Sequence, residues 1–200
     1  RFYSHPGVDV LAVLRAVKSN LLEGRIVSGA STLTQQLSRL TYPRKRTYYD
    51  KLVELIRSLR IERLLDKEQI LELYLNKVPL GNNLVGVKAG SMVYFGKSLS
   101  RLSASEAALL ASLPKAPGKL NPYGRKAPLL MERKNWVLTK MHINGHIGSD
   151  MLNGSLQDTP ILKPKSFPFA APHLINQVLP ASRSGNYTTT IDLNLQSRIE

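Results

Sequence analysis

The residues with the most chemistry to offer lie between Ser28 and Glu62, where neutral hydrogen-bond donors give way to a run of cations. Gly29 permits a backbone turn that other residues resist. Ser31 and Thr32 are natural N-caps for a helix in which Leu33, Leu37 and Leu40 share one face. The start of such a helix presents free N–H groups and partial positive charge, a combination that binds phosphate. Ser31, Thr32, Gln35 and Gln36 add neutral donors about one turn apart. Arg39, Arg44, Lys45, Arg46, Lys51, Arg57, Arg60 and Arg63 follow, against Asp50, Glu54 and Glu62. A donor cradle beside a cationic shelf suits a pyrophosphate. An ordinary capped helix followed by a solvated basic face accounts for the same residues. Glu54, the carboxylate within the shelf, has two readings as well. It is an acidic partner in a cleft, or a rung in an i, i+3 ladder with Lys51 and Arg57 worth on the order of a few tenths of a kcal/mol.

The elements that position these residues read as helices. Apolar spacing predicts a helix from Val8 to Glu23 that stops at Gly24, and Pro43 ends the helix opened at Ser31. After a basic loop at 44–47, Tyr49 to Leu65 is amphipathic, with Leu52, Leu55, Ile56 and Leu59 as its apolar stripe. Asp66 with Gln69 and Ser103 with Glu106 form capping-box pairs. They open helices over 67–76 and from Ser103 to Pro114. Gly81 to Gly86 reads as a turn-rich segment and 87–94 as a short helix. Pro128 suits the first turn of a helix running to Ile143, with a further short helix over 149–153. Five prolines between Thr159 and Arg183 mark an extended linker, and Tyr187 to Ile191 has strand composition.

The 200 residues are 42% hydrophobic, enough for a core, with a formal charge of +14. That charge implies an anionic partner, whether nucleic acid, a membrane surface or a phosphorylated substrate. Cysteine is absent, which excludes a disulfide frame and a thiolate metal site. No apolar run approaches the length of a membrane span. Three motif-like stretches carry no activity. Ser112-Leu113-Pro114-Lys115 has the S-x-x-K spacing, but Pro114 opposes the helical turn it needs and no K-T-G follows. His142 and His146 lie four apart, but Gly145 interrupts the helix. Asn153-Gly154-Ser155 has the pattern of a glycosylation sequon, which by itself marks no activity.

The run Gly29-Ala30-Ser31-Thr32-Leu33-Thr34-Gln35-Gln36-Leu37-Ser38-Arg39 resembles the second signature of glycosyltransferase family 51, the peptidoglycan glycosyltransferase of bifunctional penicillin-binding proteins. His5-Pro6-Gly7-Val8-Asp9 resembles the end of the first signature, and Lys51-Leu52-Val53-Glu54 the third. Ile70 to Asn76 with Gly81 and Gly86 resembles the fourth, and Ala107 to Ala111 with Pro114, Ala116 and Pro117 the fifth. The runs at 43–47 and 81–86 look most like the 1C type. Residues 187–196 resemble the entry to a transpeptidase domain. Two positions depart from the pattern. Asp50 stands where the family has Arg, with Arg46 as the candidate to supply the charge, and Arg39 stands where Lys is usual.

This resemblance implies a mainly α, lysozyme-like domain over 1–158, a Pro-rich linker over 159–186 and the start of a transpeptidase domain with one short strand over 187–200. It implies polymerisation of lipid II into glycan strands, with release of undecaprenyl pyrophosphate, on the outer, periplasmic face of the bacterial cytoplasmic membrane. The implied partners are lipid II, the growing strand, the membrane surface and other cell-wall synthesis proteins, without nucleic acid. Ser31, Thr32, Gln35, Gln36, Arg39, Arg46, Lys51 and His5 would bind substrate, and Glu54 would be a catalytic carboxylate. No cofactor is required. A divalent cation, Mg or Mn, could share the pyrophosphate, but no dedicated metal site is encoded. The family's general base is a Glu placed shortly before the Phe that Phe2 matches, so the chain as written is expected to bind and not to transfer. A catalytically inactive lipid II-binding fragment and a basic helical nucleic-acid-binding module are the alternatives, the latter resting on net charge alone.

Overall fold

The structure is a computed structural model that describes residues 2–9, 22–23, 31–43 and 47–164. The chain divides into two compact units, Arg1–Lys163 and Pro164–Glu200, and the described elements belong to the first. The expected helix over 8–23, the basic loop at 44–46, most of the linker and the expected strand at 187–191 fall largely or wholly outside the described residues.

Among those residues the fold is helical with one small sheet. Its elements are α1 (Leu33–Thr41), α2 (Tyr48–Leu64), α3 (Lys67–Lys77), β1 (Pro79–Gly81), β2 (Leu84–Val85), α4 (Val87–Phe95), α5 (Ala104–Ser112), α6 (Ala127–Ile143) and α7 (Ser149–Gln157). Single 3-10 turns lie at Phe2–Ser4, Leu99–Arg101 and Leu113–Lys115. Capping explains several starts. Thr32, Asp66 and Ser103 each close a reciprocal box with Gln35, Gln69 and Glu106, which settles orphan amides at α1, α3 and α5. Thr47 caps α2 by accepting from the Asp50 amide at 3.0 Å.

α1 packs on α2 and α3, and α5 packs on α6, which in turn meets α7. The fully buried side chains include Ile70, Leu80, Tyr94, Leu109, Leu113, Leu130 and Leu138. Each such aliphatic side chain contributes about 1.5–3 kcal/mol. Lys134 is buried with them at 2% exposure. Its Nζ donates to Asp158 O at 2.6 Å, Ser155 O at 3.2 Å and Ser105 Oγ at 3.1 Å, which closes the C-terminal end of α7. Burial lowers its pKa, partly opposed by the charge of Asp158.

Two expectations need correction. The segment Gly81 to Gly86 is a hairpin, with β1 antiparallel to β2 and Asn82 and Asn83 at its tip, both at positive φ. A Cβ on Gly81 would meet Pro117 O at 2.7 Å, and one on Gly86 would meet Asn76 O at 2.7 Å. Both positions have positive φ as well, so glycine answers a steric and a conformational demand at once. The second correction concerns α2. Leu52, Ile56 and Leu59 point outward, with exposures of 55%, 50% and 36%, while Ser58 is fully buried. The packed face is Glu54, Ser58 and Glu62, spaced i, i+4, i+8. It is chosen by backbone approach: Gly7 lies so close that an added Cβ would sit 3.2 Å from Ser58 O and 2.9 Å from Glu62 Cγ. A leucine at 58 would hold that segment off.

Candidate active site

The start of α1 is built by the residues expected to bind there. Thr32 Oγ1 accepts from the Gln35 amide at 3.2 Å and donates to Gly7 O at 2.6 Å. Gln35 Oε1 accepts from the Thr32 amide at 3.3 Å. Thr32 and Gln35 are buried, at 8% and 3% exposure. Their polar groups therefore hold the helix start and tie it to the segment at 2–9. Ser31, one residue earlier, is exposed.

α2 brings the charged residues to Ser31. Lys51 Nζ donates to Ser31 Oγ at 2.9 Å and to Glu54 Oε1 at 2.5 Å. Arg39, from the last turn of α1, places a guanidinium nitrogen 4.0 Å from the other Glu54 oxygen. Glu54 is thus held between two cations from different helices, with 11% of its side chain exposed, while Lys51 and Arg39 are 48% and 47% exposed. The ladder reading required Arg57 as the second partner. Arg57 instead lies over the Tyr42 ring, 4.6 Å from its centre. Counting Arg39, Lys51 and Glu54 together leaves one net positive charge facing solvent, fit to receive an anion.

Gln36 is turned toward α3, where Tyr74 donates to its Oε1 at 3.3 Å. Burial raises the Tyr74 pKa, and the nearby charge of Arg39 opposes that rise. His5 supports the cluster through its backbone: its carbonyl accepts from Lys67 Nζ at 2.6 Å. Its ring packs edge-on against Phe2, and its Nδ1 is buried without a hydrogen-bond partner. Arg46 lies outside the described residues. Among those residues no group of acids and histidines is gathered as a metal site.

Three supporting residues carried no sequence signal as a set. Glu62 accepts from Thr34 Oγ1 at 2.5 Å and pairs with Lys67 at 2.7 Å. Lys67 also sits 4.7 Å from the centre of the Phe2 ring. This one pair binds α1, α2, the start of α3 and the segment at 2–9 together. A Glu and a Lys five apart across a helix break have no regular spacing to reveal them. Ser112, of the S-x-x-K stretch, is fully buried and donates to Ala108 O at 2.7 Å, so it is no nucleophile.

Comparison with known proteins identifies the family. The family model for the transglycosylase matches residues 1–142. Penicillin-binding protein 1C of Escherichia coli (strain K12) is 41% identical over 199 residues, covering all of this chain and 26% of that protein. Penicillin-binding protein 1A of Aquifex aeolicus (strain VF5) is 48% identical over 147 residues, 73% of this chain and 20% of that protein. Among solved structures, penicillin-binding protein 1A from Haemophilus influenzae matches with 31% identity and a TM-score of 0.47 over 74% of this chain and 19% of that one. The chain thus spans about a quarter or less of the length of these relatives. It belongs to the transglycosylase family, glycosyltransferase family 51, of the penicillin-binding proteins, and its likeness to the 1C type runs through its whole length.

Proposed function

We propose that this chain is the glycosyl-transfer part of a peptidoglycan synthase that polymerises lipid II. The 4-hydroxyl of the acceptor sugar attacks C1 of the donor with inversion, the acceptor loses its proton to a base, and undecaprenyl pyrophosphate leaves. The observation that carries this reading is the half-enclosed carboxylate of Glu54 between Lys51 and Arg39, with Ser31 bonded to the same ammonium. Lys51 and Arg39 stabilise charge developing on the leaving pyrophosphate, and Ser31 and Gln36 supply neutral donors. Glu54 fixes the Lys51 ammonium or assists proton removal. Thr32, Gln35 and His5 act by holding the helix start and the segment before it, and Arg46 adds charge in place of the arginine that Asp50 replaces. A divalent ion, if used, would be held by the pyrophosphate more than by this chain. The reaction belongs at the outer face of the cytoplasmic membrane, in the company of other cell-wall synthesis proteins. Among the described residues no helix is long and apolar enough to cross a membrane.

The experiment is calorimetric titration of the chain with a phosphoglycolipid inhibitor such as moenomycin, whose phosphate stands in for the pyrophosphate. Binding that is weakened in the Lys51→Ala and Arg39→Ala variants supports the reading. Binding indifferent to both removes it.

A further inference from the structure

None of the Glu54 cluster lines an open cavity of about 500 Å³ at the start of α6. Lys119, Lys126 and Arg133 line its charged side, and Leu120, Leu129 and Trp136 its apolar side. With Lys115 the wall holds four cations against one carboxylate, Glu132. The volume suits a discrete ligand. Arg133 stacks on Trp136, with Cζ 3.9 Å from the ring centre, and its Nε is buried without a hydrogen-bond partner.

The same face of α6 continues beyond the cavity. Lys126, Leu129, Arg133, Trp136, Lys140 and Ile143 follow one another at steps of three and four. Lys140 Nζ is 5.8 Å from the centre of the Trp136 ring, which places both on this face. Leu129, Trp136 and Ile143 are 49%, 48% and 64% exposed. Cations thus recur every seven residues and apolar side chains recur every seven, a repeat of about 10.5 Å along the helix. That repeat is close to the rise of one β-1,4-linked disaccharide. A strand of such units offers apolar sugar faces to Leu129, Trp136 and Ile143 and one acidic substituent per repeat to Lys126, Arg133 and Lys140.

We propose that the cavity and the exposed face of α6 bind an acidic glycan strand outside the transfer centre, one carboxylate-bearing disaccharide per seven residues of helix. The identity of the strand rests on the function proposed above; the geometry of the site does not.

The test uses the whole 200-residue chain and three probes: a soluble uncross-linked peptidoglycan strand, a neutral chitin oligosaccharide of equal length, and phosphatidylglycerol vesicles. Trp136→Ala and Lys126→Gln/Lys140→Gln change exposed positions, and circular dichroism melts verify that each variant folds. The acidic strand is expected to bind the parent chain and to bind each variant at least tenfold more weakly. Moenomycin affinity stays unchanged in these variants. Equal strand binding by parent and variants overturns the proposal, as does equal affinity for the neutral oligosaccharide, or binding of vesicles without the strand. Lys51→Ala separates the two readings. It should weaken moenomycin binding at least tenfold and leave strand binding intact, so failure at the transfer centre and failure at α6 appear in different titrations.

Discussion

Lys51 and Ser31, twenty positions apart in sequence, are joined by a hydrogen bond of 2.9 Å, and the same ammonium holds Glu54. The bond carries a charge from α2 to the start of α1. Lys51→Ala should weaken binding of a phosphoglycolipid by about 1.5–3 kcal/mol, the scale of a hydrogen bond to a charged group. Calorimetry reads this directly, and a melt unchanged from the parent shows that the loss is local.

Glu54 has partners on two helices, so its replacement tests function separately from helix pairing. In a lipid II polymerisation assay, Glu54→Gln should lower turnover at least about a hundredfold, the low end for an acid–base group. Its effect on stability should stay on the order of 1 kcal/mol or less, because both cations are about half exposed to solvent. A melt recorded beside the polymerisation assay gives the two numbers.

The Glu62–Lys67 pair should behave in the opposite way. Both side chains are largely buried, at 8% and 19% exposure, and join four segments. Glu62→Gln strands the ammonium and should cost about 3 kcal/mol, the lower end for breaking a buried pair. Lys67→Met should cost a similar amount, and the double variant clearly less than the sum. Urea unfolding of the four proteins of the cycle measures the coupling.

Lys134 gives a pH signature. Its folded pKa is lowered by burial, so between that lowered value and the ordinary lysine value of about 10.4 the unfolded chain binds more protons than the folded one. Its contribution to stability therefore rises with pH through that window. Lys134→Met removes this rise and leaves the carbonyl of Ser155 without its donor, at about 1–3 kcal/mol, while that of Asp158 keeps the Ser105 hydroxyl. The deficit of the variant should widen as pH approaches 10, read from urea unfolding at neutral and alkaline pH.

The helices were legible in the chain because their ends are chemical. Asp66 with Gln69, Ser103 with Glu106 and Pro128 mark helix starts by local hydrogen bonding and fixed φ, and the structure places α3, α5 and α6 there. The association of Ser31, Arg39, Lys51 and Glu54 was legible as a family pattern, and tertiary structure supplied its geometry. Periodicity misled on α2, because counting leucines cannot register that a glycine from residues 2–9 must lie against Ser58. Only packing decided that Glu54, Ser58 and Glu62 face inward and that Arg57 turns to Tyr42. These outcomes depend on contacts between segments far apart in the chain, and such contacts leave no fixed spacing in a sequence.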